Sequence, residues 1–142
     1  MVLRAQRLLV LGLVVLAAVG AGSAAAVPAT PQLLVSVSAS GGLCPAHVCR
    51  WGARITTTTI SAEGRQPRRL TLVERRALTA AISQLNPASL PPFAGTCPIA
   101  YDGQERHYRF RGKRELHSCT NDLRKVKAVQ LADRLIASLK AR

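Results

Sequence analysis

Residues 71–87 read TLVERRALTAAISQLNP, and this stretch decides the fold class. Thr71-Leu72-Val73-Glu74 has the spacing of a capping box, in which the threonine hydroxyl accepts from the amide three residues on and the glutamate reaches back. Ala77, Leu78, Ala81, Ile82 and Leu85 then recur at helical spacing and make one apolar face. Arg75, Arg76, Thr79 and Ser83 lie off that face. Asn86-Pro87 ends the run, because proline lacks an amide proton and disfavours a helical residue before it. The spacing predicts a helix over 73–85. A helix with one apolar stripe needs a second layer to bury it, so its neighbours must supply that layer.

The flanks read as strands. Leu33, Val35 and Val37 alternate with Leu34, Ser36 and Ser38, the period of a half-buried strand, until Gly41-Gly42 breaks it. Ile55 to Ile60, with four consecutive threonines, is dense in β-branched residues and predicts a strand. Glu63-Gly64 predicts a turn, and Arg68 to Leu72 a paired return. On the other side, Arg106 to Arg111 alternates again, with Tyr108 and Phe110 inward and His107, Arg109 and Arg111 outward. Gly112-Lys113 predicts a two-residue turn with glycine at its first central position, and Arg114 to Cys119 the return strand. Thr120 is the expected cap of a last helix, with Asp122 in its first turn. Ala128, Leu131, Ala132, Leu135, Ile136 and Leu139 make its buried stripe, with Lys127, Gln130, Arg134 and Ser138 wet. The order is two or three strands, helix, long loop, hairpin, helix. It predicts an α+β fold: a small antiparallel sheet with two helices packed on one side, stapled by disulfides.

Met1 to Ala26 has the build of a secretory signal peptide. Arg4 and Arg7 are the positive start, Leu8 to Gly20 the apolar stretch, and Ser23-Ala24-Ala25-Ala26 the small residues of a cleavage site near Ala26. Val27 to Pro31 is a short linker, and residues 32–142 form a single α+β domain. After cleavage no stable membrane span is expected, and the protein is expected outside the cell or in a bacterial envelope. There cysteines oxidise. Cys44, Cys49, Cys97 and Cys119 allow three pairings. Cys44–Cys49 and Cys97–Cys119 are favoured, because one closes a loop of a few residues and the other ties the proline-rich loop to the end of the hairpin. The crossed pairings stay open.

The formal charge is +13 for the chain and, without Arg4 and Arg7, +11. Such a charge attracts anionic surfaces. Arg109, Arg111, Lys113 and Arg114 on the hairpin are the candidate anion-binding residues, and an anionic envelope polymer or a protein is the expected partner. No specific nucleic-acid partner is expected, since only 4% of residues are aromatic and the two on the hairpin face the core. No catalytic residues are assigned. No Gly-x-Ser-x-Gly elbow occurs, none of His47, His107 and His117 stands beside a nucleophile, and Asp102 and Glu105 read as turn residues beside Gly103. Neither cofactor nor metal is expected, because Cys44, His47, Cys49, His117 and Cys119 fit no zinc spacing well. The protein therefore reads as a small binding domain and not as an enzyme.

The segment from Asn86 to Gln104 carries Pro87, Pro91, Pro92 and Pro98, which stiffen it. Within it, Thr96 to Glu105 (TCPIAYDGQE) resembles a run found in small exported actinobacterial proteins of unknown function. Cys97-Pro98-Ile99-Ala100-Tyr101-Asp102 is also similar to the reactive segment of Streptomyces subtilisin inhibitor-type proteins, where such a run follows a helix, precedes a hairpin and is anchored by a later cysteine. That resemblance implies a protease partner and a reactive loop of Pro98, Ile99, Ala100, Tyr101 and Asp102. Ile99 would enter the primary specificity pocket and Ala100 would follow the scissile bond. Cys44 and Cys49 depart from the pattern, being closer together than that family's first bridge, and the basic C-terminal helix has no counterpart there.

Overall fold

Alternation along the strands sorts side chains between two faces, and only one face is apolar enough to need a cover. In the computed structural model, residues 30–42, 50–97 and 103–141 are described. The expected signal segment, most of the expected linker, the 44–49 cysteine loop and residues 98–102 lie outside them. The strands are β1 (Leu33–Ser40), β2 (Trp51–Thr56), β3 (Thr59–Ala62), β4 (Arg68–Arg69), β5 (Glu105–Phe110) and β6 (Leu116–His117). The helices are α1 (Leu72–Gln84) and α2 (Lys127–Ala137), with a 3-10 turn at Pro87–Ser89. All strand pairs are antiparallel, in the order β4-β3-β2-β1-β5-β6.

Val35, Val37, Ala53, Ile55, Ile60, Tyr108, Phe110 and Leu116 form the buried face of this sheet. Leu78, Ala81 and Ile82 of α1 and Ala128, Val129, Ala132, Leu135 and Ile136 of α2 cover it. Each large aliphatic or aromatic side chain taken from water there contributes about 1.5–3 kcal/mol. The α+β reading therefore holds, as do the inward Tyr108 and Phe110, which are 2% and 1% exposed. The capping box also forms. Glu74 N donates to Thr71 Oγ1 at 3.2 Å, and Thr71 N donates to Glu74 Oε2 at 2.9 Å.

Several local expectations are corrected. Ile55 to Ile60 is not one strand, because the chain turns at Thr57-Thr58 and sets Ile55 opposite Ile60. The Thr56 hydroxyl accepts from the amides of Thr58 (3.2 Å) and Thr59 (2.9 Å), a local bond that competes with the sheet ladder. The hairpin turn is centred on Arg111-Gly112, closed by Lys113 N donating to Phe110 O at 3.0 Å. Glycine thus takes the second central place, where φ is +68°. The return after Glu63-Gly64 is only Arg68–Arg69, since Thr71 and Leu72 belong to the helix start. Thr120 and Asp122 do not start α2. That helix begins after Val126 with no side-chain cap, and Asp122 is held by Arg124 instead, at 2.9 Å from Nε and 2.8 Å from Nη2. Packing of Leu123 and Val126, 8% and 7% exposed, sets where α2 begins. Five of its six expected stripe residues are buried, with Leu131 half-buried and Val129 buried beside them, while Ala77 on α1 is exposed.

Candidate functional site

Proline stiffens the connection after α1, and backbone bonds then fix it to the far end of the hairpin. Phe93 N donates to Thr120 O at 3.0 Å, Asp122 N donates to Pro91 O at 2.9 Å, and Pro92 bridges to Asn121. Cys97 and Cys119 are joined by a disulfide with Cα atoms 5.1 Å apart. On the exit side, Ser118 N donates to Arg106 O and Arg106 N donates to Ser118 Oγ, both at 2.9 Å. The two ends of the segment 98–105 are therefore anchored on consecutive residues, Cys119 and Ser118. Pro98, Ile99, Ala100, Tyr101 and Asp102 themselves lie outside the described residues, as does the Cys44–Cys49 pairing.

The open face of the β5–β6 hairpin lies directly beside these anchors. Glu105 and His107 are two apart on β5 and share that face, and the register sets His107 opposite His117. The imidazole centroids are 4.4 Å apart, edge on. Glu105 reaches both rings, with Oε2 3.3 Å from His107 Nε2 and Oε1 3.7 Å from His117 Nδ1. Glu115 Oε1 lies 3.9 Å from His107 Nδ1, and Glu115 Oε2 takes a hydrogen bond from Arg109 Nη2 at 3.0 Å. That bond, more than any other contact, holds the Glu115 carboxyl below its ordinary range. Glu105 is thus a strand residue, not a turn residue. Sequence alternation alone would have put Glu105 beside His107, but the partner, His117, depends on strand register.

Of the other residues weighed as metal ligands, only Cys119 is described. Cys119 is in the disulfide, and Cys44, His47 and Cys49 are outside the described residues. Of the candidate anion residues, three contact other groups of the fold. Arg109 is bound to Glu115, Arg111 Nη1 donates to Gln32 Oε1 at 2.6 Å, and Lys113 Nζ reaches Ser83 O at 3.5 Å, while Arg114 is exposed elsewhere on the turn.

On the covered side of the same hairpin, the Tyr108 hydroxyl donates to Asp133 Oδ1 at 2.9 Å, and Arg106 Nη1 lies 3.6 Å from Asp133 Oδ2. Burial pushes the Tyr108 phenol up to about 12, against the opposing pull of Arg106. Arg106 and Asp133 also line a cleft of about 550 Å³ with Ala39, Trp51, Gln104 and Ile136.

The chain matches no family model, no curated protein and no solved structure. Among the described residues, no helix is long and apolar enough to cross a membrane.

Proposed function

We propose that this is an exported, non-enzymatic binding domain that inhibits a subtilisin-like serine protease, with Ile99-Ala100 as its reactive bond. The observation that carries the reading is the shared anchor: Cys97 is bonded to Cys119 while Arg106 is bonded twice to Ser118. An inhibitor of this kind binds as a substrate whose loop is already ordered, so that little conformational entropy is lost on association. Ends fastened to neighbouring residues, with Pro91, Pro92 and Pro98 on the entry side, favour that behaviour. Ile99 would fill the apolar specificity pocket, and Tyr101 and Asp102, which follow the reactive bond in the chain, would help hold the exit side of the loop.

A protein partner is favoured over an anionic polymer because Arg109, Arg111 and Lys113 are each engaged within the fold. Export itself is part of the proposal, and N-terminal sequencing of secreted material tests it by a new start just after Ala26.

The functional test is a titration of subtilisin with disulfide-intact protein. Stoichiometric inhibition is expected. Ile99→Asp abolishes it by placing a charge in an apolar pocket. Ile99→Leu retains it, and selective reduction of Cys97–Cys119 weakens it. No inhibition at micromolar protein would refute the reading.

A further inference from the structure

We propose that Glu105, His107 and His117 form a binding site for a divalent late transition-metal ion, zinc above all, on the open face of the hairpin. The inference stands apart from the inhibitory reading. One ligand atom from each residue lies within 4.8 Å of the others, the spacing of a set that closes on one ion by side-chain rotation. Zinc holds imidazole nitrogen at about 2.0–2.1 Å and carboxylate oxygen at about 2.0–2.2 Å, so ligand atoms around one tetrahedral ion stand roughly 3.3–3.5 Å apart. Glu105 Oε2 and His107 Nε2 are already 3.3 Å apart, and Glu105 Oε1 is 3.7 Å from His117 Nδ1.

Three further features fit. The side chains are 19%, 25% and 37% exposed for Glu105, His107 and His117. The ion would therefore have a floor of protein and a free position for water. The second nitrogen of His107, Nδ1, faces Glu115 Oε1 at 3.9 Å, and Arg109 holds Glu115 in place. A carboxylate behind a ligating imidazole fixes the ring's orientation and strengthens it as a ligand. The donor set also selects the metal. Two imidazoles and one carboxylate suit zinc, copper or nickel, whereas magnesium and calcium prefer oxygen alone. Because His117 precedes Ser118 and Cys119, a bound ion would join β5 to the two-residue strand β6 next to the disulfide.

The test uses untagged, disulfide-intact protein titrated with zinc chloride by calorimetry, alongside thermal melts and histidine ring resonances. One zinc per chain is expected, with a raised Tm, because an ion that binds only the folded state stabilises it. The ring signals of His107 and His117 should move and those of His47, the remaining histidine, should not. His117→Ala and Glu105→Gln, checked for folding by circular dichroism, should each weaken binding more than tenfold, while His47→Ala binds as the parent does. Magnesium and calcium should not compete. The proposal is overturned if no saturable zinc binding occurs, if folded His117→Ala binds as tightly as the parent, or if only the His47 ring responds. The ring resonances decide the matter even if both variants fail to fold.

Discussion

Neutralising Glu74 should loosen three elements at once. Its Oε2 accepts from Thr71 N (2.9 Å), Thr71 Oγ1 (3.0 Å) and Arg68 Nη1 (3.0 Å), and its Oε1 accepts from Arg68 Nη2 (2.8 Å). Arg68 in turn donates to Ser138 Oγ at the end of α2, at 2.7 Å from Nη2. One carboxylate therefore ties β4 to the first turn of α1 and, through Arg68, to α2. The Arg68 hydrogen bonds first, then those of Thr71, hold the Glu74 carboxyl at about 2, below its usual 4.5. In a buried site that displacement would be worth about 3 kcal/mol. Here the two side chains are 31% and 28% exposed, so solvent screening leaves about 1 kcal/mol for the ion pair. Glu74→Gln should cost that amount. Glu74→Ala also loses its half of the capping box and should cost about 2 kcal/mol. At about 4 °C per kcal/mol for a domain of this size, Tm should fall by about 4 °C and about 8 °C. The folded-state value lies below the unfolded one, so the stabilisation is complete above about 4.5 and disappears as pH falls through about 2. Thermal unfolding followed by circular dichroism, from neutral pH downward, is the assay. The reasoning fails if Glu74→Gln melts with the parent at neutral pH, or if the gap between them persists undiminished at the acid end.

Replacing both Cys97 and Cys119 by serine should cost about 3 kcal/mol on the chain-entropy account of a bridge spanning 22 positions, and an unchanged urea midpoint would contradict it. Tyr108→Phe removes the hydrogen bonds to Asp133 and should cost about 1 kcal/mol. The buried phenol sits at about 12 against an ordinary 10, so its neutral form favours the fold. That contribution is complete below about 10 and is lost as pH rises through about 12. The parent should therefore lose stability across that window, and Tyr108→Phe should lack this component in alkaline melts.

Thr71 to Pro87 could be read directly because every signal in it is local. The cap joins residues three apart, the apolar face repeats within a turn, and proline acts on its immediate neighbour. The inward Tyr108 and Phe110 were legible for the same reason, since alternation needs only next-but-one neighbours. The Thr57-Thr58 turn was hidden because β-branched residues favour strands on average, and only pairing of Ile55 with Ile60 makes the Thr56 hydroxyl a turn partner. Thr120 failed as a cap because burial of Leu123 and Val126 outweighs a hydroxyl worth about 1 kcal/mol.

The sequence by itself determined the α+β mix of strands and helices, the inward face of β5, most of the buried stripe of α2, and the candidate cysteines. Tertiary structure decided that β1 lies between β2 and β5, that Cys97 and Arg106 are anchored side by side at Cys119 and Ser118, and that His117 faces His107 beside Glu105. Those placements depend on strand order and register between segments far apart in the chain. Their free energy comes from closing loops and burying a shared core together, and no single residue or its near neighbours encodes that.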